Sequence, residues 1–339
     1  MVFYFLKCSV SRTYRLTEIG ELSDHVPMKL LLSKPRGFCA GVVRAIDTVE
    51  KALELWGPPI YVKHGIVHNR HVVDGLKSKG AVFVEELQDV PAGSRVIYSA
   101  HGVSPKVREE AKERGLIEID ATCGLVTKVH SAVKRFSQKG YQIILIGHKN
   151  HVEVIGTAGE APDVTTIVES AKDVDKLSFA PGTKLFYTTQ TTLSLDDIEE
   201  IVKALVAKYP HVETLPSSSI CYATTNRQMA LREITDLADL ILVVGDPSSS
   251  NSNRLREVAA LRGVPSYLIN DESEIDLKWL EGVLTIGMTA GASTPENVVQ
   301  RCIAYLKDHG VSTVEDVLLI EESVFFQLPR EVMSTVSRG

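Results

Sequence analysis

One plan is written three times in this chain, and no other feature constrains its fold as much. Cys39 precedes the run "GVVRAIDTVEKALELW", Cys123 precedes "GLVTKVHSAVKRFSQKG", and Cys221 precedes "YATTNRQMALREITDLAD". Each run repeats its apolar residues at helical spacing and leads into a short apolar strand: "PIYVK", "YQIILIG" and "LILVVG". The residue 25 positions after each cysteine falls at the end of that strand, as His64, His148 and Asp246. The loops there are rich in His, Ser and Asn. A second helix follows in each third, in "NRHVVDGLKSKG", "VEVIGTAGEA" and "NRLREVAALRG". A further strand and loop come next: "RVIYSAHGVSP", "LFYTTQTTLS" and "LTIGMTAGASTP". Ser104-Pro105, Ser194 before Asp196-Asp197, and Thr294-Pro295-Glu296 then offer entry residues for a closing helix.

Alternating strands and helices argue for α/β layers with parallel sheets. Open α/β sheets bind ligands beyond the C-terminal ends of their strands. Each third places a cysteine loop, a polar loop and a hydroxyl or histidine loop there. The expected fold is α/β: three similar units with mostly parallel sheets, arranged pseudo-threefold so that the three cysteines meet. The competing reading is accidental similarity, because α/β units recur at similar lengths in unrelated proteins. The expected boundaries are 1–27 for an N-terminal extension, 28–122 plus 305–339 for the first unit, 123–217 for the second and 218–304 for the third.

Bulk properties exclude several classes of function. A net charge of −6 gives no support for a nucleic-acid partner. No apolar run approaches the ~20 residues of a membrane helix, so no membrane association is expected. Five widely spaced cysteines do not suggest a secreted disulfide framework; they fit a reducing, cytoplasmic compartment with metal-binding or catalytic thiols. The opening "MVFYFLK" is apolar but too short and badly flanked for a signal peptide, and Glu18, Glu21 and Asp24 argue against a transit peptide. Met28 begins a clean strand, "MKLLLSKP". Residues 1–27, Cys8 included, are therefore read as an extension outside the chemistry. Cys302, inside "VVQRCIAYLK", reads as a small buried apolar residue.

The other three cysteines precede helices, and at Cys39, in a glycine-flanked helix N-terminus, peptide N–H groups are expected to lower the thiol pKa. Three cysteines without a close CxxC pair disfavour a structural zinc ribbon. Three thiolates with an open fourth position suit a 4Fe–4S cluster with one iron free for substrate; a three-sulfur catalytic zinc is the less usual alternative. His68, His101 and His151 lie in polar loops beside Gly or Asn. A loop histidine taken alone is usually a solvated side chain, but three in equivalent loops of one repeat shift that balance. With Ser249, Ser250, Asn251 and Ser293 they offer donors without a strong positive field, which suits a phosphate or diphosphate. Glu153, in "HKNHVEV", is a candidate proton donor, although alone it would pass for a surface residue of the next helix. No GxGxxG or Walker loop indicates a nucleotide.

Taken together, "PRGFCAGV", "HGIVHN", "SAHGVSP", "DATCGLVTKVH", "GHKNHVEVIGTAGE", "TQTTLS", "ICYATTNRQ", "SSSNSNRL" and "TAGAST" resemble the 4-hydroxy-3-methylbut-2-enyl diphosphate reductase family of LytB-type iron–sulfur enzymes. The likeness runs from Met28 to the "VFFQLPRE" tail. It implies three α/β domains around a central 4Fe–4S cluster, with Cys39, Cys123 and Cys221 as its ligands. It also implies diphosphate contacts from His68, His101, Ser249, Asn251 and Ser293, with Ser250 and His151 beside them. Glu153 and Thr191 match the pair that serves the substrate hydroxyl and its protonation. The implied reaction is reductive dehydroxylation of the allylic diphosphate to isopentenyl and dimethylallyl diphosphates. It closes the non-mevalonate isoprenoid pathway and draws electrons from a ferredoxin- or flavodoxin-type donor. Ser248 stands where the family often has Asn. Two rival readings are a non-redox iron–sulfur dehydratase or synthase, and a zinc- or cluster-binding regulatory module that needs neither Glu153 nor the hydroxyl set.

Overall fold

A computed structural model describes residues 27–216 and 219–333. The expected extension, apart from Pro27, and its Cys8 lie outside the described residues. The chain begins with β1 (Met28–Lys34), α1 (Ala40–Trp56), β2 (Ile60–Lys63), α2 (Arg70–Ser78), β3 (Ala81–Val84), β4 (Arg95–Tyr98), α3 (Pro105–Glu113) and β5 (Ile117–Asp120). The second third holds α4 (Gly124–Gln138), β6 (Gln142–Ile146), α5 (Val152–Ala158), β7 (Thr165–Val168), α6 (Ala171–Lys176), β8 (Leu185–Thr189) and α7 (Leu195–Lys208). The last part holds α8 (Tyr222–Thr235), β9 (Leu240–Val244), α9 (Ser250–Ala260), β10 (Ser266–Ile269), β11 (Thr285–Ala290), α10 (Glu296–Asp308), β12 (Val311–Leu318) and α11 (Arg330–Met333).

These strands form three sheets, in the orders β3-β2-β4-β5, β7-β6-β8 and β10-β9-β11-β1-β12. Every ladder is parallel. Central strands read as unbroken apolar runs because helices cover both faces of a parallel sheet. Accordingly β9, "LILVV", is buried at every residue. On α1, Val42, Ala45, Val49 and Ala52 recur every three or four residues and pack with Ile60 and Val62 of β2. Burying each such valine contributes about 1.5–3 kcal/mol, so Val49→Asp would break that contact.

One grouping differs from expectation. β1 and β12 were assigned to the first unit, yet β1 pairs with β11 and β12 in the third sheet. The reason lies in the repeat. β5 pairs with β4 in the first sheet and is followed by Cys123, which opens the second unit. The segment before Cys221 likewise leans on the second sheet, where Glu213 bridges Phe186. The strand before each cysteine therefore belongs to the preceding sheet. By the same rule, the strand before Cys39 completes the last sheet. Each cysteine marks a crossing between two units.

Candidate functional site

Cys39, Cys123 and Cys221 are the N-cap residues of α1, α4 and α8. Each is fixed by an equivalent bond. The Cys39 N–H donates to the Ala292 carbonyl (3.2 Å), Cys123 to Ala100 (3.0 Å) and Cys221 to Thr191 (3.0 Å). The three acceptors occupy the loops after β11, β4 and β8, so every cysteine is pinned by the neighbouring sheet. The pseudo-threefold arrangement is visible in these bonds as well as in the chain order.

The three thiols share one central cavity with His68, His101, His151, Glu153, Thr191, Ser249, Ser250, Asn251 and Ser293. The structure thus brings together every residue singled out from the sequence for metal, diphosphate or proton chemistry. Thr192 and Thr224, which the sequence reasoning passed over, line it too, and Val42, Val67, Leu125 and Val126 supply an apolar wall. Cys302 is buried in α10, among the apolar residues of the third sheet. His64, His148, Asp246 and Ser248 stay outside the central cavity. Asp246 instead accepts from the Arg70 N–H (3.0 Å), tying the third unit to the first.

At Cys123 and Cys221 the pull of the helix N–H groups on the thiol is outweighed. Burial pushes the Cys123 thiol up to about 11, against the opposing pull of the Leu125 and Val126 N–H groups. Burial likewise pushes Cys221 up to about 12, and the neighbouring Cys39 adds to the effect. Helix N–H groups therefore lose to desolvation, and a bound cation is what would ionise these thiols. The space between them is kept open by Gly41, where a Cβ would lie 2.6 Å from Cys123 Sγ and 3.9 Å from Cys39 Sγ. Among the described residues, no three His, Cys, Asp or Glu side chains are gathered closely enough to hold a single metal ion. Three separated thiols around an open space suit a polynuclear group better.

The three histidines form a compact triangle. Ring centroids are 4.1 Å apart for His68 and His101, 5.1 Å for His68 and His151, and 6.0 Å for His101 and His151. Burial lowers the pKa of each: His68 falls, His101 falls well below its ordinary value, and His151 drops to about 3. All three are neutral donors or acceptors at pH 7. His151 caps α5 by accepting the Glu153 N–H at Nδ1 (3.2 Å), which leaves the proton on Nε2. That Nε2, the Nε2 of His68 and the Nδ2 of Asn251 are buried without a partner among the described residues. Asn251 is oriented by its Oδ1, which accepts from the Ala292 N–H (2.8 Å). An unmet buried polar group costs about 1–3 kcal/mol, so three in one cavity mark a place built for an acceptor-rich ligand.

The hydroxyls are held in different ways. Ser249 caps α9, its Oγ accepting from the Ser252 N–H (3.3 Å), so its own proton is free to turn toward the cavity. The Thr192 hydroxyl lies 3.0 Å from Ser250 Oγ. Ser293 donates to the His68 carbonyl (2.8 Å) and so joins the third unit to the first. Glu153 is buried, and burial pushes its carboxyl above the usual range while the Thr191 N–H and hydroxyl oppose the rise. Arg227, the largest fully buried side chain, was not singled out from the sequence. It donates to the Gly37 carbonyl (2.7 Å) and the Ala223 carbonyl (3.0 Å) and pairs with Glu322 (3.1 Å). It fastens the Cys39 loop to the Cys221 helix. Its only sequence signal was its place in "TTNRQ", on the helix behind Cys221.

Fold and site together define a three-unit α/β protein with a central cavity lined by thiols, histidines and hydroxyls. The profile described as "LytB protein" matches residues 30–307, and the chain belongs to that family. It is 74% identical over 307 residues to the 4-hydroxy-3-methylbut-2-enyl diphosphate reductase of Protochlamydia amoebophila, a match covering 91% of this chain and 98% of that relative. Among solved structures it resembles the E-1-hydroxy-2-methyl-but-2-enyl-4-diphosphate reductase of Plasmodium falciparum, at 51% identity and a TM-score of 0.89, over 91% of this chain and 98% of that one. A second structure is described as (E)-4-hydroxy-3-methyl-but-2-enyl diphosphate reductase, the terminal enzyme of the non-mevalonate pathway. It matches at 29% identity and a TM-score of 0.60, over 83% of this chain and 99% of that one.

Proposed function

We propose that this chain reduces 4-hydroxy-3-methylbut-2-enyl diphosphate to isopentenyl and dimethylallyl diphosphates, the last step of the non-mevalonate isoprenoid pathway. The reaction consumes two electrons and two protons: the allylic C–O bond breaks, a C–H bond forms, and the oxygen leaves as water. The observation that carries this reading is the pairing, in one cavity, of three buried thiols with the unmet nitrogens of His68, His151 and Asn251. Cys39, Cys123 and Cys221 would hold a 4Fe–4S cluster, which when bound supplies the electrons and a Lewis-acidic iron for the hydroxyl oxygen.

The chain's own residues do the rest. His68, His101, Ser249, Asn251 and Ser293 receive the diphosphate, with His151 and Ser250 beside them, and thereby fix the allyl group in place. Val42, Val67, Leu125 and Val126 cover its carbons and exclude water. Glu153, whose carboxyl burial pushes above the usual range, gives up a proton toward the departing hydroxyl, and Thr191 orients that carboxyl group. Electrons come one at a time from a ferredoxin- or flavodoxin-type protein in the cytoplasm, where reduced thiols persist.

The test is anaerobic reconstitution with iron and sulfide, followed by incubation with the allylic diphosphate and a chemical reductant. Formation of both isoprenoid diphosphates, strictly dependent on the reductant, is expected. Turnover without any reductant would replace this reading with a non-redox dehydratase.

A further inference from the structure

His130 has no part in the reading above, yet it sits where two site-bearing segments meet. It is on α4, two helical turns beyond Cys123, and is 7% exposed. Its Nδ1 lies 2.9 Å from Glu160 Oε1, and both side chains are largely buried. The opposite edge of the ring faces two glycines. A Cβ on Gly102 would lie 3.2 Å from both Cε1 and Nε2 of His130, and one on Gly156 would lie 3.4 Å from Cε1. Gly102 follows His101 directly, in the first unit. Gly156 is one turn after Glu153 on α5, in the second.

The two segments also touch each other. A Cβ on Gly156 would be 3.2 Å from the Gly102 carbonyl oxygen, and one on Gly159 would be 2.4 Å from Ser104 Cβ. Bare positions on one side of α5 thus admit the backbone of the 101–104 loop. Gly102 adopts φ +76, which other residues resist, so a side chain there is disfavoured by the backbone as well as by the His130 ring. The imidazole is the third wall of this joint. Its Nε2 is buried without a partner among the described residues. A core built only for stability would favour an apolar residue there; the ring held by Glu160 supplies a flat edge at a fixed angle.

We infer that His130, oriented by Glu160, is a positioning residue that sets the spacing between the His101 loop and the Glu153 helix, and so aligns a diphosphate-binding histidine with the proton donor. The inference rests on the functional reading above for what the two segments do. Removing the ring would let the loop settle onto α4 and turn His101 away from the cavity. Small displacements of that kind cost catalysis heavily while leaving the fold intact.

The experiment compares full-length, reconstituted wild type with His130→Ala, His130→Gln and Glu160→Gln. Inorganic diphosphate affinity is measured by calorimetry, kcat and KM with the allylic diphosphate, and melting temperature as a control. For His130→Ala the expectation is several-fold weaker diphosphate binding and a fall of about 10- to 100-fold in kcat/KM, shared between a higher KM and a lower kcat. His130→Gln, which refills the far edge, should recover part of both, and Glu160→Gln should show a smaller loss of the same kind. Unchanged diphosphate affinity and kcat/KM in His130→Ala would overturn the inference. So would a lower melting temperature with unchanged affinity, because the ring would then only fill the core. If His130→Ala does not fold, Glu160→Gln decides: wild-type affinity and kcat there reject the role. If wild type itself fails to turn over, the functional reading falls, and diphosphate affinity alone still decides the spacing role.

Discussion

Thr191 holds both carboxyl oxygens of Glu153: its N–H donates to Oε1 at 2.7 Å and its hydroxyl lies 3.0 Å from Oε2. The same residue's carbonyl accepts the Cys221 N–H. One threonine therefore fixes the buried carboxyl of the second unit and the thiol that opens the third. Both carboxyl oxygens accept from Thr191, so the carboxyl group keeps one orientation in the cavity.

Glu153→Gln tests that arrangement. The amide oxygen replaces Oε1 and its NH₂ replaces Oε2, where the Thr191 hydroxyl turns to accept instead of donate, so shape and hydrogen bonds survive. Iron content and diphosphate affinity should match wild type. Single-turnover C–O cleavage should slow by about 10²–10⁴-fold, the usual worth of a general acid. Equal rates in rapid-quench measurements would reduce Glu153 to a purely orienting group.

Gly41→Ala tests the space between the thiols. The added methyl would stand 2.6 Å from Cys123 Sγ, inside any acceptable contact. The sulfur must swing away, because Gly41 lies in the first turn of α1 and cannot retreat. Iron and sulfide bound after anaerobic reconstitution should fall well below wild type, while the far-ultraviolet circular dichroism stays unchanged. Full loading would show that Cys123 has freedom the structure does not display.

The three cysteine-to-helix transitions, the strands after them and the side chains of the central cavity were legible because they recur at fixed spacing and carry rare residue types. The placement of β1 was not. Its apolar run "LLL" says that it is central in a sheet but not in which one, and pairing across hundreds of residues leaves no local mark. The raised thiol pKa values of Cys123 and Cys221 were not legible, because the N-terminal N–H groups are visible in sequence whereas burial is a property of the assembled units. Arg227 and His130 escaped for a related reason. Each looks like an ordinary helical polar residue until the loops from another unit close over it.

The histidine triangle makes ligand binding depend on pH. His68, His101 and His151 have lowered pKa values in the folded protein, chiefly through burial. Below the ordinary value of 6.5 the unfolded chain takes up protons that the folded chain refuses. The stability these groups contribute is thus present above that value and lost as pH falls toward the folded pKa values. Diphosphate acts in the opposite direction, since its negative charge raises the histidine pKa values. Binding should take up protons, and affinity should rise, as pH falls below 6.5 toward the folded pKa values, before unfolding intervenes. Calorimetry in buffers of different ionisation enthalpy reads the proton uptake, with the diphosphate's own titration subtracted. Zero remaining uptake across that range would mean that the rings do not meet the anion.

Arg227 sets the last expectation. Its guanidinium is fully buried and reaches the Gly37 and Phe38 carbonyls, the Ala223 carbonyl and the Glu322 carboxylate. Arg227→Met keeps much of the volume but leaves Glu322 with the Asn226 amide in place of its cationic partner and strands the carbonyls that hold the Cys39 loop. Removing one partner of a buried pair costs about 3–5 kcal/mol, far more than the pair's own worth. Arg227→Lys should be nearly as harmful, because one ammonium cannot serve a planar, multidentate role. Denaturant unfolding of cluster-free protein measures both. A cost within about 0.5 kcal/mol, the range of neutral surface changes, would show the staple to be idle. Adding Glu322→Gln to Arg227→Met should restore part of the loss, because the stranded charge goes with it. The coupling between the two positions then separates the buried charge from the lost carbonyl bonds. Whatever remains is the stability that Arg227 draws from gripping the Cys39 loop, and the same double variant should still load less iron than wild type.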